Sequence, residues 1–311
     1  MSDLEVTVVD IDDSVPQVRT VRLARADGAT LPSYPPGSHI VIDCGGVTNA
    51  YSLTGDGMSP ACYVVSVLLC PDGSGGSRWI HEALSVGDRV TVRPPRNAFA
   101  PVLRARRHVL IAAGIGITPM VSHLRAAQRW GRQVQLLYIH RKGRGAYLDE
   151  IDRLCGDAQI FTDRAKFHGE LVAVLAGQPM GTHLYVCGPT RFMDDVSAEA
   201  RASGWPDSRI HLERFGVEAL DAGEPFEVDL AGTGETFTVP SGVSLLEALQ
   251  RRGHAIPNLC RQGVCGECRI PVSGGSILHR DLFLTDTEKQ RGDALMSCVS
   301  RAAGNRLELA L

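Results

Sequence analysis

The chain has no apolar run approaching the roughly eighteen residues of a membrane span, so a membrane-embedded protein is not expected. It has no surplus of positive charge: 32 Lys and Arg are set against 35 Asp and Glu, which leaves nothing in the overall balance to hold nucleic-acid phosphates. Internal repeats and low-complexity tracts are absent. The opening MSDLEVTVVD carries no apolar leader and the nine cysteines are an odd number, so disulfides are not expected and a reducing cytoplasm fits best. Paired C-x2-C knuckles for zinc are missing too: only Cys265 and Cys268 make one, with no His four or five residues away. What remains, at 44% hydrophobic and 22% charged residues over 311 positions, is an ordinary globular composition with room for two or three domains.

One stretch is dense in chemistry: Cys260-Arg261-Gln262-Gly263-Val264-Cys265-Gly266-Glu267-Cys268, with Cys298 after a further twenty-nine residues. C-x4-C-x2-C with a distant fourth cysteine is the ligand spacing of a plant-type [2Fe-2S] cluster held by four thiolates. A loop that wraps two irons must turn tightly and bring backbone N–H groups toward sulfur, and Gly263 and Gly266 stand between the ligands where that is needed. With the flanking Leu284-Thr285-Asp286 and Met296-Ser297-Cys298, the C-terminal segment resembles the ferredoxin domain of plant-type iron-sulfur proteins. Cys260, Cys265, Cys268 and Cys298 are the expected metal ligands.

From Leu4 to about Pro101 the chain is a series of short apolar runs (LEVTVVDI, QVRTVRLAR, SHIVIDCG, NAYSLTG, CYVVSVLL, DRVTVRPP) separated by Gly, Pro and Asp. Their alternation reads as strands, and their number at short spacing predicts a small antiparallel barrel. A single helix is expected after Gly73-Ser74-Gly75-Gly76-Ser77, running through Arg78, Trp79, Ile80 and Leu84. A glycine-rich turn entering a helix offers free N–H groups and the positive end of the dipole, which suits a phosphate, although such a stretch taken alone is more often just a flexible turn.

Asn49-Ala50-Tyr51-Ser52-Leu53 resembles the R-x-Y-S-(L/T) signature of ferredoxin-reductase-type flavin domains. The resemblance implies that Tyr51 packs by the isoalloxazine and Ser52 bonds its N5 region, with Leu53, Ser66 and Val67 as further flavin contacts. Gly75, Gly76, Ser77 and Arg78 resemble the phosphate loop of the phthalate dioxygenase reductase branch, which implies FMN. Asn49 stands where that family has Arg, so an amide replaces a guanidinium and Ser77, Arg78 or Arg96 would meet the phosphate charge instead.

After Pro94-Pro95-Arg96-Asn97-Ala98-Phe99, which resembles the family's boundary segment, strand and helix alternate. His108 to Ala112 reads as a buried strand, and Ala113-Gly114-Ile115-Gly116-Ile117-Thr118-Pro119-Met120 opens a helix to about Trp130. Thr118 suits an N-cap and Pro119 the first helical position, with Gly114 and Gly116 leaving space for a pyrophosphate. Val134 to Ile139, Ala158 to Phe161 and His183 to Val186 read as further strands, with helices near Tyr147 to Leu154 and Pro189 to Ala202, predicting an open doubly wound sheet. Val186-Cys187-Gly188-Pro189 resembles the Y-x-C-G-P element of the reductase family, which implies that Cys187 lies against the nicotinamide C4 and that Gly188-Pro189 turns the chain under the ring. Taken alone, Cys187 is equally a small buried hydrophobe. His140, Arg141, Lys142 and Arg144 end the second strand with cations that would suit a 2′-phosphate, and Asp163 would accept a ribose hydroxyl or cap a helix. The resembling branch uses NADH, which is the expected donor, with NADPH the alternative. Phe215, in Leu212-Glu213-Arg214-Phe215, is the aromatic expected to cover the flavin.

Residues 216–225 (GVEALDAGEP) lack periodicity and read as a linker; two strands, a helix and then the cysteine loop follow in the order of a β-grasp ferredoxin. The expected organisation is a multidomain α/β and β protein: an antiparallel flavin-binding β-barrel over 1–101, a doubly wound parallel-sheet NAD domain over 102–215, and a plant-type [2Fe-2S] domain over 226–311. In this order the modules resemble the phthalate dioxygenase reductase and vanillate demethylase reductase family. The resemblance implies an NADH-dependent reductase that passes single electrons through FMN and a [2Fe-2S] cluster to a separate terminal oxygenase of the Rieske non-haem iron type, with a cytochrome P450 or other monooxygenase as the alternative partner. An iron-sulfur redox sensor is the alternative of another class. Hydride transfer needs no side-chain acid or base, so Cys187, Ser52 and Phe215 are expected to position rather than to titrate.

Overall fold

A computed structural model describes residues 3–71, 73, 75–97, 99–215, 223–258, 263, 266–281 and 283–311. The chain forms two compact units, Met1–Phe215 and Gly216–Leu311. Among the described residues no helix is long and apolar enough to cross a membrane.

The first unit opens with strands β1 (Leu4–Val15), β2 (Val18–Ala24), β3 (Ser38–Asp43), β4 (Thr48–Ser52), β5 (Cys62–Leu68) and β6 (Arg89–Asn97). They pair antiparallel in the order β4-β3-β6-β1-β2-β5, and a bridge between Leu53 and Val65 joins the two edges, so the sheet closes on itself. Alternate residues point inward: Val6 and Val8, Val21 and Leu23, Ile40 and Ile42, Tyr63, Val65 and Val67 fill the interior. Helix α1 (Gly76–Glu82) belongs to the β5–β6 connection, and Arg19 ties it to the barrel by donating to the carbonyls of Ile80 and Leu84.

Beyond the barrel, strands β7 (Arg107–Ala113), β8 (Val134–Ile139), β9 (Ala158–Phe161), β10 (Thr182–Cys187) and β11 (Ile210–Glu213) form a parallel sheet in the order β11-β10-β7-β8-β9. Helices α2 (Ile117–Arg129), α3 (Leu148–Leu154), α4 (Arg164–Ala176) and α5 (Thr190–Ala202) connect them. Two apolar clusters line the sheet, one built on Leu110, Leu136 and Tyr185 and the other on Val109, Leu137 and Val186. Residues at alternating positions serve opposite faces, which is why these strands read as continuous hydrophobic runs. Strand order reverses between β7 and β10, and the crevice at their carboxyl ends is where such sheets take ligands.

Asp163 caps α4 by accepting from Lys166 N at 3.0 Å, so the helix-cap alternative for this residue is the one realised. Thr118 is not a cap. The chain enters α2 through a 3-10 turn, Gly114–Gly116, which moves the helix start to Ile117 and puts Thr118 and Pro119 inside the first turn, with Thr118 Oγ1 donating back to Ile115 O at 2.9 Å.

The second unit has strands β12 (Phe226–Leu230), β13 (Thr236–Val239), β14 (Arg269–Gly274), β15 (Ile277–Leu278), β16 (Ala294–Met296), β17 (Arg301–Ala302) and β18 (Arg306–Leu309), with helices α6 (Leu245–Arg251) and α7 (Asp286–Arg291). Its main sheet runs β13-β12-β18-β14-β16, with β12 and β18 parallel. Ser244 caps α6 by accepting from Glu247 N, and a Thr285–Glu288 capping box starts α7. Arg301 is buried; its guanidinium donates to the carbonyls of Val243, Glu224 and Pro240.

Candidate functional site

At the strand-order reversal, Gly116 lies directly on the end of β10. A Cβ there would stand 2.3 Å from Cys187 O and 2.8 Å from Gly188 N, so only glycine lets the α2 entry approach this closely. Gly188 is similarly packed, against Ala113 and Phe192, and Pro189 precedes α5. Gly114 faces open space. Cys187 is fully buried, and burial together with the neighbouring Glu213 carboxyl pushes its thiol well up, so it remains a neutral thiol.

Glu213 is the residue that sequence reasoning passed over. Parallel pairing sets it beside Cys187 in register, and Ser52 Oγ donates to its Oε2 at 3.4 Å across 161 residues of sequence. Burial lifts its carboxyl from 4.5 to about 8, with the Ser52 hydrogen bond opposing the rise. Barrel and nucleotide sheet thus meet at Ser52, Glu213 and Cys187. Phe215, two residues on, is partly buried against the cluster that contains Cys187. A lone Glu in Leu-Glu-Arg-Phe carries no local signal; only the long-range register exposes it.

On the barrel, Asn49 Nδ2 donates to Tyr51 OH at 3.3 Å, and Tyr51 packs partly against the barrel core. Asn49 also lies against Gly76, where a Cβ would stand 2.5 Å from its amide nitrogen. The first helical bond of α1 is Trp79 N to Gly75 O, which leaves the N–H groups of Gly76, Ser77 and Arg78 without an intrahelical acceptor. Ser77 Oγ accepts from Cys70 N and donates to Cys70 O, and Arg78 donates to Pro71 O, so side chains here serve the loop that leads into α1. Arg96 pairs in register with His39 on β3. Leu53 and Val67 are core residues: Leu53 N donates to Ser38 O, and Val67 O lies 2.8 Å from His81 Nε2.

Ser66 belongs to a chain of hydroxyls. Thr54 Oγ1 donates to Val64 O, which obliges it to accept from Tyr147 OH at 3.2 Å; Tyr147 must then accept from Ser66 Oγ at 2.5 Å, and Ser66 lies 2.7 Å from Thr20 Oγ1. Tyr147 reaches there from the nucleotide sheet in a left-handed conformation, φ 63. Arg129 with Asp56, and Arg144 with Gln17, add two further ties between the halves. Arg144 is therefore engaged with the barrel. His140 is buried, its Nδ1 lying 2.9 Å from Arg141 O, and Arg141 is exposed.

In the second unit Cys260 and Cys265 lie outside the described residues. Cys268 and Cys298 are buried with Sγ atoms 3.1 Å apart. They meet because β14 follows the first and β16 precedes the second, and these strands pair antiparallel, Arg269 opposite Met296. Ser297 secures the junction, its N and Oγ both donating to Cys268 O. Gly263 has φ 71, and a Cβ there would stand 2.6 Å from Val299 Cγ2 and 3.0 Å from the Asp281 Cα. Paired buried thiols beside a turn that admits no side chain fit a cluster with thiolate ligands.

A reductase fold with a nucleotide crevice, coupled to a ferredoxin-type unit, defines an electron-transfer oxidoreductase. Comparison with known proteins gives the family. Residues 88–210 match the profile of the dimethylamine monooxygenase subunit DmmA-like N-terminal domain, and residues 228–303 match that of the 2Fe-2S iron-sulfur cluster binding domain. The heme-dependent oxidative N-demethylase beta subunit of Ectopseudomonas mendocina (strain ymp) is 39% identical over 99% of both chains. A phthalate dioxygenase reductase, described as a modular structure for electron transfer from pyridine nucleotides to [2Fe-2S], is 32% identical with a TM-score of 0.79, covering 100% of this chain and 98% of that one. An intact type IV self-sufficient cytochrome P450 monooxygenase is 34% identical with a TM-score of 0.81, over 99% of this chain and 41% of that one. The chain belongs to the phthalate dioxygenase reductase family, the reductase components of oxygenase systems.

Proposed function

We propose that this chain takes a hydride from NADH onto FMN held by the barrel over 1–101 against the nucleotide domain over 102–215, and delivers electrons through a [2Fe-2S] cluster in 226–311 to a separate terminal oxygenase. The observation that carries the reading is the convergence of Ser52, Cys187 and Glu213 at the strand-order reversal, in the same chain as the paired thiols of Cys268 and Cys298. Bound flavin accepts two electrons together and gives them up singly, which is the chemistry that lets a hydride donor feed a one-electron cluster.

The protein's own residues position and shield. Tyr51 and Ser52 present a ring face and a hydroxyl; Leu53, Ser66 and Val67 supply the adjoining strand edges; and Asn49 with the N–H groups of Gly75, Gly76, Ser77 and Arg78 faces the FMN phosphate. Gly114, Gly116, Thr118 and Pro119 form the pyrophosphate seat, His140 and Arg141 flank the adenosine side, and Cys187, Gly188 and Pro189 support the nicotinamide, with Phe215 covering the flavin. Glu213 Oε2 accepts from Ser52 Oγ and so fixes that hydroxyl's orientation, while burial, which lifts the carboxyl to about 8, would let Glu213 hold a proton beside it near neutral pH. Cys260, Cys265, Cys268 and Cys298 ligate the irons, which requires the reducing cytoplasm.

The favoured acceptor is a Rieske non-haem iron oxygenase. A haem oxygenase is the second reading, favoured by the relative that serves heme-dependent N-demethylation and by the reductase fused to a P450. Cys187→Ala is expected to slow flavin reduction by NADH in stopped-flow measurements while flavin and iron contents are retained; an unchanged rate removes Cys187 from the site. Product formation coupled to NADH consumption with a Rieske oxygenase, set against the same assay with a haem oxygenase, decides the acceptor.

A further inference from the structure

Asp281 lies three residues beyond the end of β15 in the second unit. Its side chain is 0% exposed, and nothing in the reading above uses it. Both carboxyl oxygens accept: Oδ2 takes Leu284 N at 2.9 Å, and Oδ1 takes Ser300 Oγ at 3.2 Å with His279 Nδ1 3.4 Å away. Ser300 Oγ itself accepts from Arg280 N at 3.2 Å, so its one proton is directed at Asp281. Leu284 N and Ser300 Oγ thus bring one donor to each oxygen, an arrangement that suits a carboxylate. Lys289 Nζ donates to the main-chain oxygen of Asp281 at 2.7 Å, not to its carboxylate.

Gly263 and Ser300 both meet this residue. Gly263, between Cys260 and Cys265 in sequence, is packed against the Asp281 Cα and Cβ, at 3.0 and 3.2 Å from the position of a Cβ, and against Val299, which follows Cys298. Ser300, two residues after Cys298, is the hydroxyl donor. We propose that Asp281 is a positioning residue for the iron-sulfur site: it packs against Gly263 and is bonded to Ser300, beside the fourth ligand, and its buried negative charge disfavours the extra electron, setting the cluster to a lower potential. The proposal rests on the four-cysteine ligand reading. A charge enclosed in protein acts on a neighbouring centre far more strongly than one in water, and the donors that hold Asp281 hold the field in one orientation.

The test is the midpoint potential of the purified holoprotein by dye-mediated titration, with absorption spectra and iron and sulfide content measured on each sample. Asp281→Asn removes the charge at nearly constant volume; its potential is expected to move positive, raising the reduced-to-oxidised ratio at fixed applied potential by at least about threefold. Asp281→Glu retains the charge and is expected to stay near the wild-type value. Where Asp281→Asn does not retain its cluster, Ser300→Ala decides: loss of a donor exposes more of the carboxylate's field and the potential is expected to move negative. An unchanged potential in Asp281→Asn, or in Ser300→Ala where that variant decides, overturns the proposal. Wild-type protein without iron and sulfide would instead overturn the ligand reading on which it rests.

Discussion

Glu213→Gln keeps the side-chain volume and an acceptor for Ser52 but abolishes titration. In the native protein burial holds this carboxyl at about 8, whereas the unfolded chain releases its proton near 4.5. Between those values the folded state carries a proton that the unfolded state has lost, so the stability due to this group is complete below about pH 4.5 and disappears as pH rises through about 8. At about 1.4 kcal/mol per pH unit the whole loss is on the order of 4–5 kcal/mol, an upper limit because Glu213 keeps partial contact with solvent. The three tryptophans, Trp79, Trp130 and Trp205, all lie in the first unit, so their fluorescence in urea titrations reports that unit alone. Between pH 5.5 and pH 8.5 the wild type is expected to lose up to roughly 3 kcal/mol relative to Glu213→Gln. Stability curves that run parallel over this range would refute the burial argument, and with it the assignment of a stored proton to Glu213.

Gly116→Ala places a methyl 2.3 Å from Cys187 O; flavin reduction by NADH is expected to fall at least tenfold while bound flavin is retained, measured by stopped-flow absorbance. Tyr147→Phe removes one link from the hydroxyl chain, but Ser66 keeps Thr20 and Thr54 keeps Val64 O, so the cost is expected to be only about 1 kcal/mol in urea unfolding. His123 is buried and held neutral down to about 3 by desolvation, so as pH falls below 6.5 the unfolded chain gains a proton that the native state refuses. Stability should therefore drop toward pH 4.5, and His123→Gln should make the slope of stability against pH shallower by about one proton; an unchanged slope would count against it.

The barrel strands, the doubly wound sheet and the cysteine spacing were legible because each rests on local pattern: alternation, glycine at a turn, or ligands at fixed intervals. The α4 stripe of Phe167, Leu171 and Val174 has helical spacing behind Asp163, a residue that the sequence offers both as a ribose acceptor and as a helix cap and that the structure uses as the cap. Thr118 looked like a cap because the sequence does not reveal that a 3-10 turn precedes it. Glu213, the Tyr147 hydroxyl and Asp281 could not be found in this way. Their meaning lies in partners 161, 81 and 19 residues distant, which only folding brings near.

Strand β18 occupies the middle of its sheet, between β12 and β14, although its residues 306–309 follow all four cysteines in the sequence. A ribosome that has synthesised all four cysteines has therefore not yet released the strand that Leu307 and Leu309 anchor in the core. The flavin and nucleotide unit can complete its folding before the second unit is synthesised, whereas the sheet beside Cys268 and Cys298 closes only once β18 has emerged. Metal loading is thereby expected to follow the emergence of β18, and disrupting that strand with Leu307→Asp should leave a yellow protein that never turns brown.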